Sequence, residues 1–179
     1  MFEVWSGATA NSSMLHFRGA NNTALGYGAV KSNQTGNANT GIGAESLYNL
    51  TSGYSNTAIG YKSMRSTLAG FNNTAFGQEA LFNNGGGSWN AADGYQALYS
   101  NSSGTGNTAL GAQSLYNLST GNANTAVGFQ ALRVIAGSSV GNNTALGYQA
   151  LYNATTSNLT AIGYQALYSN SSGTGNTAI

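Results

Sequence analysis

The chain has 179 residues, enough for one ordinary domain, but only 5% are charged, and four acidic against five basic residues leave a formal net charge of +1. That balance supplies neither the basic patch of a nucleic-acid binder nor an acidic tail. The absence of Cys excludes disulfide frames and thiolate metal sites, while eleven Tyr and six Phe set the chain apart from ordinary disordered polar sequence.

The first twenty residues, MFEVWSGATANSSMLHFRGA, are aperiodic. They lack the basic start and apolar run of a signal peptide. Neither here nor further on is there a stretch of the ~18 apolar residues that a membrane helix needs, so no membrane insertion is expected. Residues 1–20 read as a cap or docking segment, with Phe2, Val4 and Trp5 as its apolar contacts.

From Asn21 to Ile179 the chain is an array of about nine and a half units. A glycine recurs at Gly26, Gly43, Gly60, Gly77, Gly94, Gly111, Gly128, Gly147 and Gly163, in six steps of 17, one of 19 and one of 16. The unit reads N-T-A-[LIVF]-G-Y-Q-[AS]-L-Y, followed by a polar stretch. Seventeen residues are too few for a helix–turn–helix repeat and fit one coil of a β-solenoid. T-A-L-G is a predicted first strand, glycine a corner, Y-Q-A-L-Y a predicted second strand, and S-N-S-S-G-T-G-N the return loop. A single helical turn at Y-Q-A-L-Y is the alternative, because Gln, Ala and Leu favour helix. The fold class is therefore all-β, a single solenoid of stacked coils about 45 Å long at ~4.8 Å per coil.

Alternation puts Thr and Leu of T-A-L-G on one face and Ala and Gly on the other. Two apolar columns are expected to fill the coil. The first is Leu25, Ile42, Ile59, Phe76, Leu110, Val127, Leu146 and Ile162, with Asp93 in its apolar row. The second is Val30, Leu47, Met64, Leu81, Leu98, Leu115, Leu132, Leu151 and Leu167. Aromatic residues follow it at Tyr48, Phe82, Tyr99, Tyr116, Tyr152 and Tyr168. An Asn column comprises Asn22, Asn39, Asn56, Asn73, Asn90, Asn107, Asn124, Asn143 and Asn176, and stacked amides can hydrogen-bond along such a column. Glu45, Lys62 and Glu79 share the Gln place, so neighbouring coils would pair opposite charges. Asp93 reads either as turned outward by a bulge or as an ion point at a coil defect. Regular Thr rows could order water if they faced outward, but this parity turns them inward.

The stretches NTALGYGA, NTAIGYKS, NTAVGFQA and NTALGYQA, beginning at Asn22, Asn56, Asn124 and Asn143, resemble the left-handed β-roll heads of trimeric autotransporter adhesins. They are also similar to the NTAIGYQAL arrays of bacterial and phage tail-fibre-type proteins. The resemblance implies a left-handed coil, a parallel homotrimer, surface display, and adhesion or fibre building.

Chemistry-bearing clusters are absent from the sequence. His16 is the only His, no carboxylate pair recurs with the period, and there is no G-G-x-G-x-D calcium repeat. No enzyme activity, cofactor or metal is expected. Eleven N-x-[ST] sequons, among them Asn33 and Asn101, are what an Asn/Ser/Thr-rich chain produces and are candidate glycan sites. The expected function is an extracellular or cell-surface fibre subunit whose partner is itself. Filaments would grow through open ends, Phe2, Val4 and Trp5 meeting Ile179, unless the array continues further. The alternative is an adhesin or tail-fibre receptor-binding head with a cell-surface ligand, reading its target through the irregular stretches FNNGGGSWNAAD and RVIAGSSVGN.

Overall fold

The computed structural model describes residues 15–16, 21–135 and 140–179. Phe2, Val4 and Trp5 lie outside them. The chain is a β-solenoid with one three-residue strand in nearly every coil and no helix among the described residues. After β1 (Leu15–His16), the repeat strands are β2 (Thr23–Leu25), β3 (Thr40–Ile42), β4 (Thr57–Ile59), β5 (Thr74–Phe76), β6 (Ala91–Asp93), β7 (Thr108–Leu110) and β8 (Thr125–Val127). There follow β9 (Val134–Ile135), β10 (Thr144–Leu146), β11 (Asn153–Ala154), β12 (Thr160–Ile162), β13 (Ser169–Asn170) and β14 (Thr177–Ala178).

The repeat strands form one eleven-stranded sheet in the order β1-β2-β3-β4-β5-β6-β7-β8-β10-β12-β14. From β2 onward its pairs are parallel and each residue sits on its counterpart one coil away: Thr40 on Thr57, Gly41 on Ala58, Ile42 on Ile59. The register passes unshifted through the 19- and 16-residue coils, from Val127 to Leu146 to Ile162. The two extra residues are therefore absorbed outside the strand. At the N-terminal edge, β1 pairs antiparallel with β2. Among the described residues, a second strand per coil is found only toward the C-terminal end, where β9, β11 and β13 form a parallel three-stranded sheet.

These short strands follow Y-Q-A-L-Y, which is itself neither strand nor helix in any described repeat, so the expected second strand does not form there. In the second repeat, Ser46 donates its N–H to Gly43 O at 3.3 Å, closing a tight turn. Glu45 and Leu47 both lie in the left-handed region, at φ of 57° and 50°. The same two places are left-handed as far as Gln165 and Leu167. Neighbouring coils hold this backbone: Glu45 N–H goes back to Tyr27 O at 2.7 Å, and Leu47 N–H goes forward to Ser63 O at 3.1 Å. Such bonds compensate the cost of placing ordinary residues at positive φ.

The interior corrects half of the expected core. The Val30, Leu47, Leu81, Leu98, Leu115, Leu132 and Leu151 column is buried, with Met64 in line. Leu167, in the last full coil, packs partly buried against it. The Leu25, Ile42, Ile59, Phe76, Leu110, Val127, Leu146 and Ile162 column instead points outward. Its members are intermediate or exposed, with Leu25 at 46%. Ala24, Ala58, Ala75, Ala92, Ala109, Ala126, Ala145 and Ala161 fill the inner side of the sheet.

The width of the coil is the physical reason. A Cβ added at Gly41, on the inner side of β3, would stand 2.8 Å from Val30 Cγ2 and 3.0 Å from Ser46 Oγ. One wall supplies Leu, so the opposite wall has room only for Ala or Gly. Two large columns facing each other would overpack the section.

Candidate interaction surface

Four longitudinal arrays of side chains run along this rod, and each follows from the 17-residue column it occupies. The first is the internal asparagine ladder. Asn39 donates its backbone N–H to Asn22 Oδ1 at 2.8 Å and its Nδ2 to the same oxygen at 3.1 Å. The other Nδ2 hydrogen goes to Gly53 O at 2.9 Å. The link to the preceding amide recurs at Asn56, Asn73, Asn90, Asn107, Asn124 and Asn143. At the next place Leu159 replaces Asn and keeps only the backbone donation to Asn143 Oδ1. Asn176 lies beyond this break and donates to Asn170 Oδ1. All members from Asn22 to Asn143 are buried, so the ladder holds coils together rather than offering a site.

Sequence reading missed a second glycine column, Gly36, Gly53, Gly70, Gly87, Gly104 and Gly121, whose carbonyls receive these amides. It also missed the buried column beginning at Asn33. There Asn33 and Asn101 each fold back onto a glycine three residues on, Gly36 and Gly104. Both are sequon residues, and their burial removes them as glycan acceptors.

The second array is a stack of rings and cations. Tyr48, Phe82, Tyr99, Tyr116, Tyr152 and Tyr168 are joined by Lys31, Arg65 and Arg133, which occupy the same column. Ring centroids are 5.0 Å apart for Phe82–Tyr99, Tyr99–Tyr116 and Tyr152–Tyr168. Arg65 lies 5.1 Å from the Tyr48 centroid and 6.0 Å from that of Phe82, and Arg133 bridges Tyr116 and Tyr152 at 5.1 and 5.7 Å. Lys31 closes the N-terminal end over Tyr48 at 4.9 Å. Its hydrogen bond to the Tyr48 hydroxyl holds the ammonium pKa above the ordinary value. The cations were legible as members of the column, but their change of residue type concealed them.

The third array is the Gln row. Gln96 donates to Glu79, and Gln113, Gln130, Gln149 and Gln165 each donate to the amide one coil back, at 2.8 to 3.1 Å. The expected Glu45–Lys62–Glu79 charge ladder does not form. Glu45 pairs with Arg65, Nε to Oε2 at 2.6 Å, across two columns. Lys62 lies over the Tyr61 ring at 4.8 Å, and its hydrogen bond to Tyr61 raises its pKa. The planar guanidinium reaches the carboxylate while stacking on Tyr48, a double role the ammonium cannot fill.

The fourth array is the outer face of the long sheet. Thr23, Thr40, Thr57, Thr74, Thr108, Thr125, Thr144 and Thr160 form one row, and the Leu25 column forms the next. Beyond the glycine corner comes a third exposed row, Tyr27, Tyr61, Tyr95, Phe129, Tyr148 and Tyr164. Phe129, Tyr148 and Tyr164 stack at 5.5 and 5.3 Å. Asp93 is the one charged residue in the Thr and Leu25 rows. It faces outward with its whole column and pairs in register with Phe76 and Leu110, without a bulge. Ala91 replaces Thr in the same coil, and the two changes leave a shallow cavity of about 210 Å³ lined by Thr74, Phe76, Thr108 and Leu110. The Thr row does face outward, contrary to the sequence expectation. Beside it the Leu25 row varies from Val to Phe to Asp, so the face is not the uniform lattice that ordered water would need.

Comparison with family models, curated proteins and solved structures finds no match to this chain. Among the described residues no helix is long and apolar enough to cross a membrane, and no three His, Asp or Glu side chains group as metal ligands.

Proposed function

We propose that the chain is a structural rod of an extracellular fibre, assembled from copies that lie side by side. The carrying observation is the exposed apolar face made by the Leu25 column and its Thr neighbours. It runs the length of the described repeats with a single charge, Asp93. A three-residue strand face repeated over nine coils spans roughly 400 Å², Thr row included, the size of the largest and often functional patch on a typical monomer. A second copy suits it best. The face repeats every coil, so a partner with the same repeat meets it all along its length. Identical rods around a common axis present equivalent residues at equal heights. The resemblance to homotrimeric β-roll heads points the same way, and so does the near absence of charge, which leaves copies with little to repel them. The lateral face, rather than the chain ends, carries this reading.

Sedimentation velocity of the purified chain tests it. The expected result is one multimeric species, converted to folded monomers by Leu110→Lys combined with Leu146→Lys. Both substitutions lie on the outer row and leave the interior untouched. A wild-type chain that stays monomeric on concentration would contradict the proposal.

A further inference from the structure

Trp89 stands where the fold has no use for a large side chain. The residue just before each ladder place lies in the left-handed region, from Asn21 at φ 60° to Asn158, ahead of Leu159, at φ 63°. The other described places in that column hold Asn, Ser, Ala or Gly. Trp89 sits there at φ 54°, held by its N–H bond to Phe71 O at 3.1 Å. Left-handed backbone is least favourable for a bulky residue. The ring gains little burial in return, being 59% exposed. An outlier of this kind points to a use other than packing.

The surroundings define that use. Tyr54 and Phe71 occupy one column in successive coils, and their rings stack at 4.8 Å with planes 4° apart, so their faces look along the rod. Trp89 meets Phe71 edge-on, at 4.6 Å and 80°. Its plane therefore runs along the rod, and with 59% of the residue exposed much of the indole is left open. The loop before it is bare. A Cβ at Gly86 would meet nothing within 4 Å, and Gly86 is not among the positive-φ glycines, so neither packing nor backbone requires glycine there. In the Trp89 column the neighbouring coils contribute the exposed Asn72 and Gly106. Ser102 and Ser103, one coil beyond the bare loop, are also exposed and uncharged.

We infer that Trp89 is the platform of a binding site for neutral glycans. A pyranose ring carries a face of C–H bonds, and the negative face of an indole attracts such positive edges. Its hydroxyls suit a rim of amide and hydroxyl groups without charge. Open ground at Gly86 and Gly106 lets a chain of sugars pass the ring. A protein partner would need a wider apolar centre than three aromatic residues provide. This inference goes beyond the fibre reading and does not rest on it, because the residues of the site come from one chain and none of them belongs to the Leu25 row.

The test is electrophoresis of the native chain through gels containing hydroxyethylcellulose, laminarin, mannan or dextran, compared with Trp89→Asn. Asparagine is the residue this column itself uses, and it favours left-handed backbone. The expected results are slowed migration of the wild type in at least one gel, loss of that retardation in the variant, and an unfolding midpoint in the variant equal to or above that of the wild type. Unretarded wild type in all four gels would overturn the inference. So would a variant retarded as strongly as the wild type. A variant with a lowered midpoint would also overturn it, by making Trp89 a packing residue.

Discussion

Single side chains in this protein are judged by what the neighbouring coil does with them. Asn73 accepts the backbone N–H and the Nδ2 of Asn90, and donates to Asn56 and to Gly87 O. Asn73→Ala strands buried groups on both sides, and a buried donor without a partner costs about 1–3 kcal/mol. The expected loss is roughly 3 kcal/mol, read as a lower urea midpoint. Thr67 is the opposite case. Its hydroxyl is buried with no hydrogen-bond partner, in the column that alternates between Asn33, Asn84 and Asn101 and the apolar Leu50, Leu118 and Ile135. Thr67→Val keeps the shape and removes the orphan, so the midpoint should rise by the equivalent of about 1 kcal/mol. Gly60 fails for two reasons at once: its φ is 136°, and a Cβ would stand 2.4 Å from Gly77 O. Gly60→Ala should cost roughly 3 kcal/mol or more, and a midpoint unchanged within error would show that the coils can spread apart.

At the level of the coil, the period was legible and the parity was not. The 17-residue spacing specifies in-register stacking, because every column then meets itself. Alternation also groups Thr with Leu and sets Ala on the opposite face correctly. Which group faces inward depends on the width of the coil, and that is decided across the section, where Val30 and Gly41 share one small space. Hydrophobicity alone chose the larger residue and misplaced Leu25 and its row. The turn at Y-Q-A-L-Y was illegible for another reason. Gln and Leu have no local preference for positive φ, and it is the bonds to the coils above and below that hold them there. Arg65 and Arg133 were hidden because a cation in an aromatic column looks like an interruption until the two are seen to stack. The stack also makes a pH prediction. Burial, its largest cause, raises the Tyr99 hydroxyl pKa above the ordinary 10.0. Above that pH the unfolded chain gives up the proton first, so stability falls as pH rises toward the folded pKa. Urea midpoints should begin to fall above pH 10, and the fall should be shallower in Tyr99→Phe, which has no proton to lose.

The molecule as a whole is a stack whose stability is close to a sum over neighbouring coils. Its interior is complete within one chain: the Asn ladder, the Leu column and the Ala wall leave little unpaired. Its outer sheet face is not complete in the same sense, since that face exposes a row of Leu, Ile, Val and Phe along the described repeats. Side-by-side association of copies is the central claim. The absence of Cys from the chain permits a direct measurement. Leu110→Cys places one thiol in the middle of the outer row, and Ser102→Cys places one on the exposed return loop. Mild oxidation should link Leu110→Cys chains rapidly into disulfide dimers and leave Ser102→Cys chains largely monomeric. Equal linking of both variants, or none at position 110, would contradict the account.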